Sequence, residues 1–440
     1  MNHVKVTDRA APYMGPWSAT ALVVASMVGA GVFTTSGFAL ADLGRRDVVL
    51  LAWLAGGVLA FFGAISYAAL ARRIPRSGGE YTFLSVTLHP LAGFLAGWVS
   101  LLAGFTAPIA AAALGVQAYL SPVIGLSLRS EWIGTGAILV AGLLHGARLR
   151  EGVWVQNAAV AIKLLAIAAF VSLGALLLPG SAPSAPSPPP PVDPGAFAVT
   201  LVWISFAYSG WNAAVYVASE VRQPERTLRR SMLAGTAVVT AAYLALNAVF
   251  LYSAPASELA GRADIGAVAA GHLGGPRLRD AISALVALAL FTSISAMVMA
   301  GPRVYARMAE DGLFPPMFGR GREVPGPAVA LQCLLAVAVV WLTGLAELLG
   351  YIGFTLGLSA AATVVGLLII RWREGPERVP VPGYPWVQVV FVGAAVATSA
   401  FLVARRPLEA LWGGLTVASG LPLYVWMRRR GVGDRRPTLP

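Results

Sequence analysis

The chain has 440 residues, of which 57% are hydrophobic and 12% are charged, and its mean hydropathy is +0.73. Soluble domains carry about a quarter charged residues, so this composition excludes a soluble globular protein. The formal net charge of +12 raises the possibility of nucleic-acid binding. Where the charges lie along the chain decides whether this alternative is needed.

Apolar residues fall in blocks of about 18 or more with few charges, the pattern that predicts transmembrane helices. We therefore predict an all-α integral membrane protein. The first block is too long for a removable signal peptide and lacks the small-residue cleavage pattern. Twelve transmembrane segments, numbered in chain order, are predicted at residues 16–40, 48–71, 90–120, 132–147, 153–178, 197–219, 231–253, 280–303, 326–345, 347–370, 386–404 and 408–427.

Segment 1 contains the sequence SMVGAGVFTTSG, which places Gly29 and Gly31 near the middle of an uncharged stretch. Glycine in a helix interior costs about 1 kcal/mol relative to alanine, so this pair weakens the helix at membrane depth. The two glycines do not share one helix face, so the usual packing pattern of small residues does not account for both. We predict that segment 1 is broken here.

Segment 5 carries Lys163 about ten residues from its inner end. At 1.5 Å per residue, this places the side chain roughly 15 Å deep. A charge at membrane depth costs at least about 2.5–3.5 kcal/mol, and the depth exceeds the reach of a snorkelling lysine. Lys163 is therefore a candidate functional residue.

Segment 6 has the sequence FAYSGWN at its middle, which predicts a second break near Gly210. Segments 1 and 6 each open a block of five segments, and they begin on opposite sides of the membrane. Paired interrupted segments at matching positions of inverted blocks indicate the binding site of a transporter. The predicted domains are residues 1–178 (tail and first repeat), 179–196 (Pro-rich outer loop), 197–372 (second repeat) and 373–440 (segments 11 and 12 with a basic tail).

A helix break in a membrane exposes N–H groups at one half-helix and carbonyl groups at the other, and the helix dipole reinforces both. A carboxylate fits the first end and an ammonium fits the second. An α-amino acid carries both groups on one carbon. The two predicted breaks therefore favour an amino acid as the ligand.

Most Lys and Arg residues lie in the loops and ends on one side of the predicted membrane. The positive-inside rule places both termini in the cytoplasm, in a plasma (inner) membrane. The tail MRRRGVGDRR is expected to lie near acidic membrane lipid, and no nucleic acid is required. Cys333 is the single cysteine and the four histidines are scattered, so we expect no disulfide, metal or cofactor.

Several motifs together resemble the amino acid–polyamine–organocation (APC) superfamily of transporters. They are VGAGVF, RRIPRSGGEYTF, FAYSGWN, ASEVRQPERTLRRSM and GPRVYARMAEDGLFPPMF, between residue 16 and about residue 320. The resemblance implies ten core helices in a 5+5 inverted repeat, with discontinuous helices 1 and 6, and two peripheral helices. It also implies alternating access around an amino acid site at the membrane midplane.

The resemblance also implies roles for individual residues. The carboxylate end of the site would be lined by Val28, Gly29, Ala30 and Gly31, and the second break by Phe206, Ala207, Tyr208, Ser209, Gly210 and Trp211, with Phe206 as an aromatic gate. Lys163 would occupy the place of a coupling sodium ion. Its expected partner is a hydroxyl of segment 8, where Thr292, Ser293 and Ser295 are available, with Ser295 as first choice and Ser293 as second. Glu80 and Tyr81 are expected to brace the inner gate.

These observations predict a secondary amino acid permease, not an enzyme or a channel. No acidic residue lies at membrane depth to pair with a cationic side chain, which favours neutral amino acids. Proton symport through Lys163 is the leading mode, and sodium-independent exchange or amine and polyamine transport remain alternatives. No obligate protein partner is expected, because Cys333 lies in segment 9, away from any outer loop.

Overall fold

The computed structural model describes residues 14–125, 131–146, 152–178, 191–318 and 326–429. Apart from an isolated bridge between Met14 and Val221, the regular structure of these residues is helical. The α-helices are α1 (Pro16–Met27), α2 (Ala30–Leu43), α3 (Arg46–Arg73), α4 (Gly79–Thr87), α5 (Pro90–Val99), α6 (Ala107–Ile124), α7 (Glu131–Gly146), α8 (Gly152–Leu177), α9 (Pro194–Ala207), α10 (Pro224–Tyr252), α11 (Ala256–Leu259), α12 (Ile265–Glu310), α13 (Gly326–Leu342), α14 (Leu345–Glu374), α15 (Trp386–Arg405) and α16 (Pro407–Arg429).

The predicted all-helical membrane class is confirmed. Eight spans are long and apolar enough to cross a membrane, at Pro16–Leu43, Arg46–Arg73, Pro90–Ile124, Pro224–Tyr252, Ile265–Ala306, Leu345–Glu374, Trp386–Arg405 and Pro407–Arg429. Shorter apolar helices lie at Glu131–His145, Ala161–Leu177, Pro194–Ala207 and Gly326–Leu342. Each predicted segment overlaps one of these helices, although segment 6, predicted at residues 197–219, continues past the end of its helix at Ala207. The count of twelve crossings, the inverted repeat and the domain boundaries remain predictions.

Both predicted helix breaks are present. α1 and α2 meet at Val28 and Gly29, whose backbones leave the helical conformation. α9 ends at Ala207, and a turn through Gly210 leads into a 3₁₀ helix at Ala213–Glu220. In both places the chain changes direction inside a stretch that hydropathy alone would make one continuous helix.

Two other distortions were not predicted from the sequence. α12 bends at Gly274 and Gly275, whose backbone angles are not helical. Between α5 and α6, residues Ser100–Thr106 form a π-helix. Pro108 follows this segment and has no N–H to donate, so the carbonyl four residues earlier cannot receive an α-helical bond. Such wide turns occur frequently at functional sites.

One end of the helix bundle is closed by hydrogen bonds between α2, α6 and the chain that leads into α12. The hydroxyl of Tyr119 donates to the carbonyl of Phe33 at 2.7 Å and accepts from the N–H of Gly266 at 3.1 Å. The N–H of Gly261 donates to the carbonyl of Gly37 at 2.7 Å. These hydrogen bonds therefore fix α2, the second half of the broken first span, at this end of the bundle.

Gly37 allows this closure because a side chain there would overlap the backbone carbonyl of Arg262. We expect Gly37→Val to prevent the close approach of α2 and to lower the thermal midpoint of the detergent-purified protein by several degrees. Gly393→Val is the control, because a Cβ at Gly393 meets no atom within 4 Å. Equal midpoints for the two variants would contradict this account of the closed end.

Candidate functional site

A cavity of about 1760 Å³ runs from the two helix breaks to one end of the bundle. Its mouth is lined by residues that follow α3 and by the end of α12, including Arg76, Ser77 and Asp311. Gly37 and Tyr119, at the closed end described above, are not among its lining residues. Within the described part of the chain, the cavity therefore extends from the two breaks to this mouth and does not reach the residues of the closed end.

The first break presents backbone rather than side chains to the cavity. Gly29 precedes α2, and no side chain caps the first turn of α2 among the described residues. A Cβ at Gly29 would meet no atom within 4 Å, so this position opens directly on the cavity, which Ala30 and Gly31 also line. Val28 differs, because it is 1% exposed and does not line the cavity.

The second break lies against the first. A Cβ on Gly31 would come within 2.5 Å of the Cβ of Ala207. A Cβ on Gly210 would come within 2.6 Å of the carbonyl oxygen of Ser26, and the φ of Gly210 is +101°, a conformation that side chains disfavour. Close backbone contact between the two breaks is therefore the main reason for glycine at Gly31 and Gly210.

The other residues predicted at the second break also reach the cavity. Phe206, Ala207, Tyr208, Ser209 and Trp211 all line it. Trp211 packs edge-on against Tyr67 with ring centroids 4.7 Å apart. The structure thus brings nine of the ten residues predicted to bind substrate around one cavity, and Val28 is the one that does not line it.

Tyr243 of α10 was missed from the sequence, and it joins the two breaks. Its hydroxyl lies 2.6 Å from the carbonyl oxygen of Met27 and 3.2 Å from that of Ala207. These are the last helical residues of α1 and α9, whose carbonyls would otherwise lack an α-helical donor. The only signal for Tyr243 in the sequence is a tyrosine inside an apolar segment, which is too general to identify it.

Lys163 of α8 is buried and reaches the first break. Its ammonium nitrogen lies 2.7 Å from the Oγ of Ser293 in α12 and 3.4 Å from the carbonyl oxygen of Val28. Within the residues that the structure describes, no carboxylate forms an ion pair with it. Lys163 therefore links α8, α12 and the junction of α1 and α2.

Ser293, the second choice from the sequence, is the partner of Lys163, and Ser295 is not. The Oγ of Ser295 instead lies 2.7 Å from the Nε2 of His145 in α7. The reason is helical geometry, because residues two apart on a helix point about 200° apart. Only one of the two serines can face α8.

Glu80 of α4 connects three elements near the cavity mouth. One of its carboxylate oxygens accepts from the hydroxyl of Tyr67 at 2.9 Å and from the side-chain amide of Asn212 at 2.6 Å, and the other accepts from Tyr216. Tyr81 donates to the carboxylate of Asp311 at 3.0 Å. The chain that follows the second break is thus tied to α3 and α4 at this end.

Comparison with known proteins identifies relatives along nearly the whole chain. Residues 14–422 match the family model described as amino acid permease. The chain is 28% identical over 433 residues to the serine/threonine exchanger SteT of Bacillus subtilis (strain 168), covering 94% of this chain and 96% of the relative. It is 25% identical over 432 residues to the human large neutral amino acids transporter small subunit 2 (93% and 79%), and 26% identical over 430 residues to the human b(0,+)-type amino acid transporter 1 (93% and 87%).

The contact between the breaks can be tested at Gly210. We expect Gly210→Ala to disrupt ligand binding, because the added methyl group collides with the Ser26 carbonyl and the φ of +101° disfavours alanine. Gly136→Ala is the control, since a Cβ at Gly136 meets no atom within 4 Å. Ligand-dependent thermal stabilisation of the purified protein is the measurement, and equal stabilisation of both variants would contradict this role of Gly210.

Proposed function

The chain belongs to the amino acid permease family, and from this premise we propose that it is a secondary transporter that moves neutral amino acids across a membrane by alternating access. Proteins of this family are membrane transporters and not enzymes. The observation that carries the proposal is the uncapped first turn of α2, which opens on the cavity at Gly29 and faces the second break.

The two breaks supply complementary chemistry for an α-amino acid. The first-turn N–H groups of α2 and the positive end of its dipole suit a carboxylate. The turn after α9, at Tyr208, Ser209 and Gly210, supplies backbone carbonyls and the hydroxyl of Ser209 for the ammonium. Gly29 leaves room for the substrate to approach the backbone closely.

Preference for a neutral side chain is supported by the distribution of charge around the cavity. Its charged lining residues are Arg76, Glu80, Glu220 and Asp311. All four belong to the chain that follows α3, α9 and α12, towards the mouth. The rest of the described lining is uncharged, and small or apolar residues such as Ala296, Leu356 and Gly357 are part of it. The carboxylate of Glu80, which lies closest in the chain's contacts to the second break, already accepts hydrogen bonds from Tyr67, Asn212 and Tyr216 and is therefore engaged within the protein.

Lys163 is the residue that we propose couples transport to a second event. Its ammonium contacts the carbonyl of Val28, at the junction between α1 and α2. A change in this contact would therefore accompany any movement of α1 relative to α2. If the ammonium releases its proton to the cavity side when the contact breaks, each substrate moves with a proton, and the protein is a proton symporter.

Obligate exchange is the second candidate, favoured by the similarity to a protein named as a serine/threonine exchanger. In this mode Lys163 stays charged throughout the cycle. The empty carrier would then be unable to reverse its orientation, and only substrate would allow the α1–α2 junction to move. Both modes use Lys163. They differ in what drives uptake, which is the proton gradient in symport and the amino acid on the other side in exchange.

We also propose that the cavity faces the cytoplasm, because the positive-inside distribution of Lys and Arg places its mouth there. No disulfide-linked partner subunit is proposed. The single cysteine, Cys333, is 7% exposed and packs against Gly142 of α7, so it is inaccessible for such a bond.

Uptake into proteoliposomes tests the function. We expect labelled neutral amino acids to accumulate when an inward proton gradient is imposed, and accumulation to fall to background in Lys163→Ala. Ser293→Ala, which removes one of the two contacts of the ammonium, should reduce the rate partially, since a hydrogen bond to a charged group contributes about 1.5–3 kcal/mol. Ser295→Ala is the matched control and should retain the gradient-driven rate.

Preloading the vesicles with amino acid separates the two modes. Uptake that requires preloading and is indifferent to the proton gradient would establish exchange and overturn symport. No uptake of any amino acid under either condition would overturn the proposed substrate class.

A further inference from the structure

Glu409 is a buried carboxylate that substrate transport, as proposed above, does not use. It lies in the first turn of α16, is 6% exposed, and is absent from the lining of the cavity. Its carboxyl group packs on the backbone of Gly350 in α14, where a Cβ would overlap the Oε2 atom of Glu409. Gly350 thus provides the space in which this carboxylate is buried.

The hydrogen-bonding capacity of Glu409 is unfilled. Among the described residues no donor reaches its Oε2 atom. Its Oε1 atom lies 4.0 Å from Arg406 Nη1, which is beyond hydrogen-bonding distance. A buried carboxylate without donors is unfavourable as an anion, and protonation removes the charge.

Arg406 is shared between Glu409 and Asp42, the carboxylate near the end of α2. Its Nη2 atom lies 3.7 Å from the Oδ2 atom of Asp42, and its guanidinium lies 5.6 Å from the centre of the Trp203 ring in α9. Arg406 therefore joins the loop between α15 and α16 to the second half of the first span and to α9.

The remaining charged groups that face this cluster are Glu347 of α14 and Arg405. Glu347 is exposed to solvent. Arg405 is committed elsewhere, because its Nη1 atom lies 2.6 Å from Asp193, and this hydrogen-bonded pair holds the pKa of the Asp193 carboxyl below its ordinary value. Arg406 is thus the cation available to both Asp42 and Glu409.

We propose that Glu409 is a proton-binding site, separate from Lys163, and that its proton controls closure of the end of the bundle opposite the cavity mouth. When Glu409 is ionised, it competes with Asp42 for Arg406. When it is protonated, Arg406 interacts with Asp42 alone and holds the end of α2 in the closed position. The control of closure rests on the function proposed above, whereas proton binding by Glu409 does not.

Infrared difference spectroscopy of the purified protein between acidic and alkaline pH tests proton binding without transport. We expect a carbonyl band of a buried protonated carboxyl group in the wild type, its loss in Glu409→Gln and its retention in Glu347→Gln. Gly350→Ala should also remove the buried band by displacing the carboxylate, and this variant keeps the glutamate. The same band in Glu409→Gln as in the wild type would overturn the proposal.

Transport then tests the consequence for the closed end. In proteoliposomes of known orientation, we expect acidic outer pH to raise the KM for outside substrate several-fold in the wild type. Glu409→Gln should show the high value at both pH values, and Asp42→Asn the low value at both. An unchanged pH dependence in Glu409→Gln would overturn the link to closure. Complete loss of uptake in the wild type would instead contradict the proposed function, and the infrared result would still stand.

Discussion

The constraint on which this structure depends is that backbone polar groups cannot stay unpaired within a membrane. Two helices end at membrane depth, and the released carbonyls must find donors. The single hydroxyl hydrogen of Tyr243 is shared between the carbonyls of Met27 and Ala207, and Lys163 and Ser293 both lie within hydrogen-bonding distance of the carbonyl of Val28. The first-turn N–H groups of α2 have no side-chain cap and open on the cavity. The backbone groups that lack a side-chain partner are thus concentrated at the place that we propose for the substrate carboxylate.

The packing of the two helix breaks limits how either one could move relative to the other. Gly31 lies against Ala207, and Gly210 lies against Ser26, so each half of one broken span touches the other broken span. A displacement of α1 towards the turn at Gly210, or of α2 towards the end of α9, would therefore require the contacted segment to shift as well. Tyr243 of α10 contacts both breaks, so its two hydrogen-bonding distances depend on the position of each.

Much of the helical plan follows from local patterns that the sequence displays directly. Uncharged blocks identify the spans, and glycines at membrane depth identify the breaks. The sequence does not predict which side chains contact each other across helices, because these contacts depend on how the helices are rotated about their axes. Ser293 and Ser295 are equivalent in the sequence, and only the orientation of α12 selects the first. Tyr243, Glu409 and the π-helical turn were missed for the same reason, since their meaning lies in contacts with distant segments.

The π-helical segment Ser100–Thr106 changes the direction in which the side chains of the following helix, α6, point around the helix axis. A wide turn accommodates one residue more than an α-helical turn, which rotates later side chains by roughly 100° about the helix axis. Tyr119 lies downstream on the same span and must point at Phe33 and Gly266 to close the bundle. The π-helical segment beside the cavity therefore determines the direction in which the Tyr119 side chain points at the closed end of the bundle.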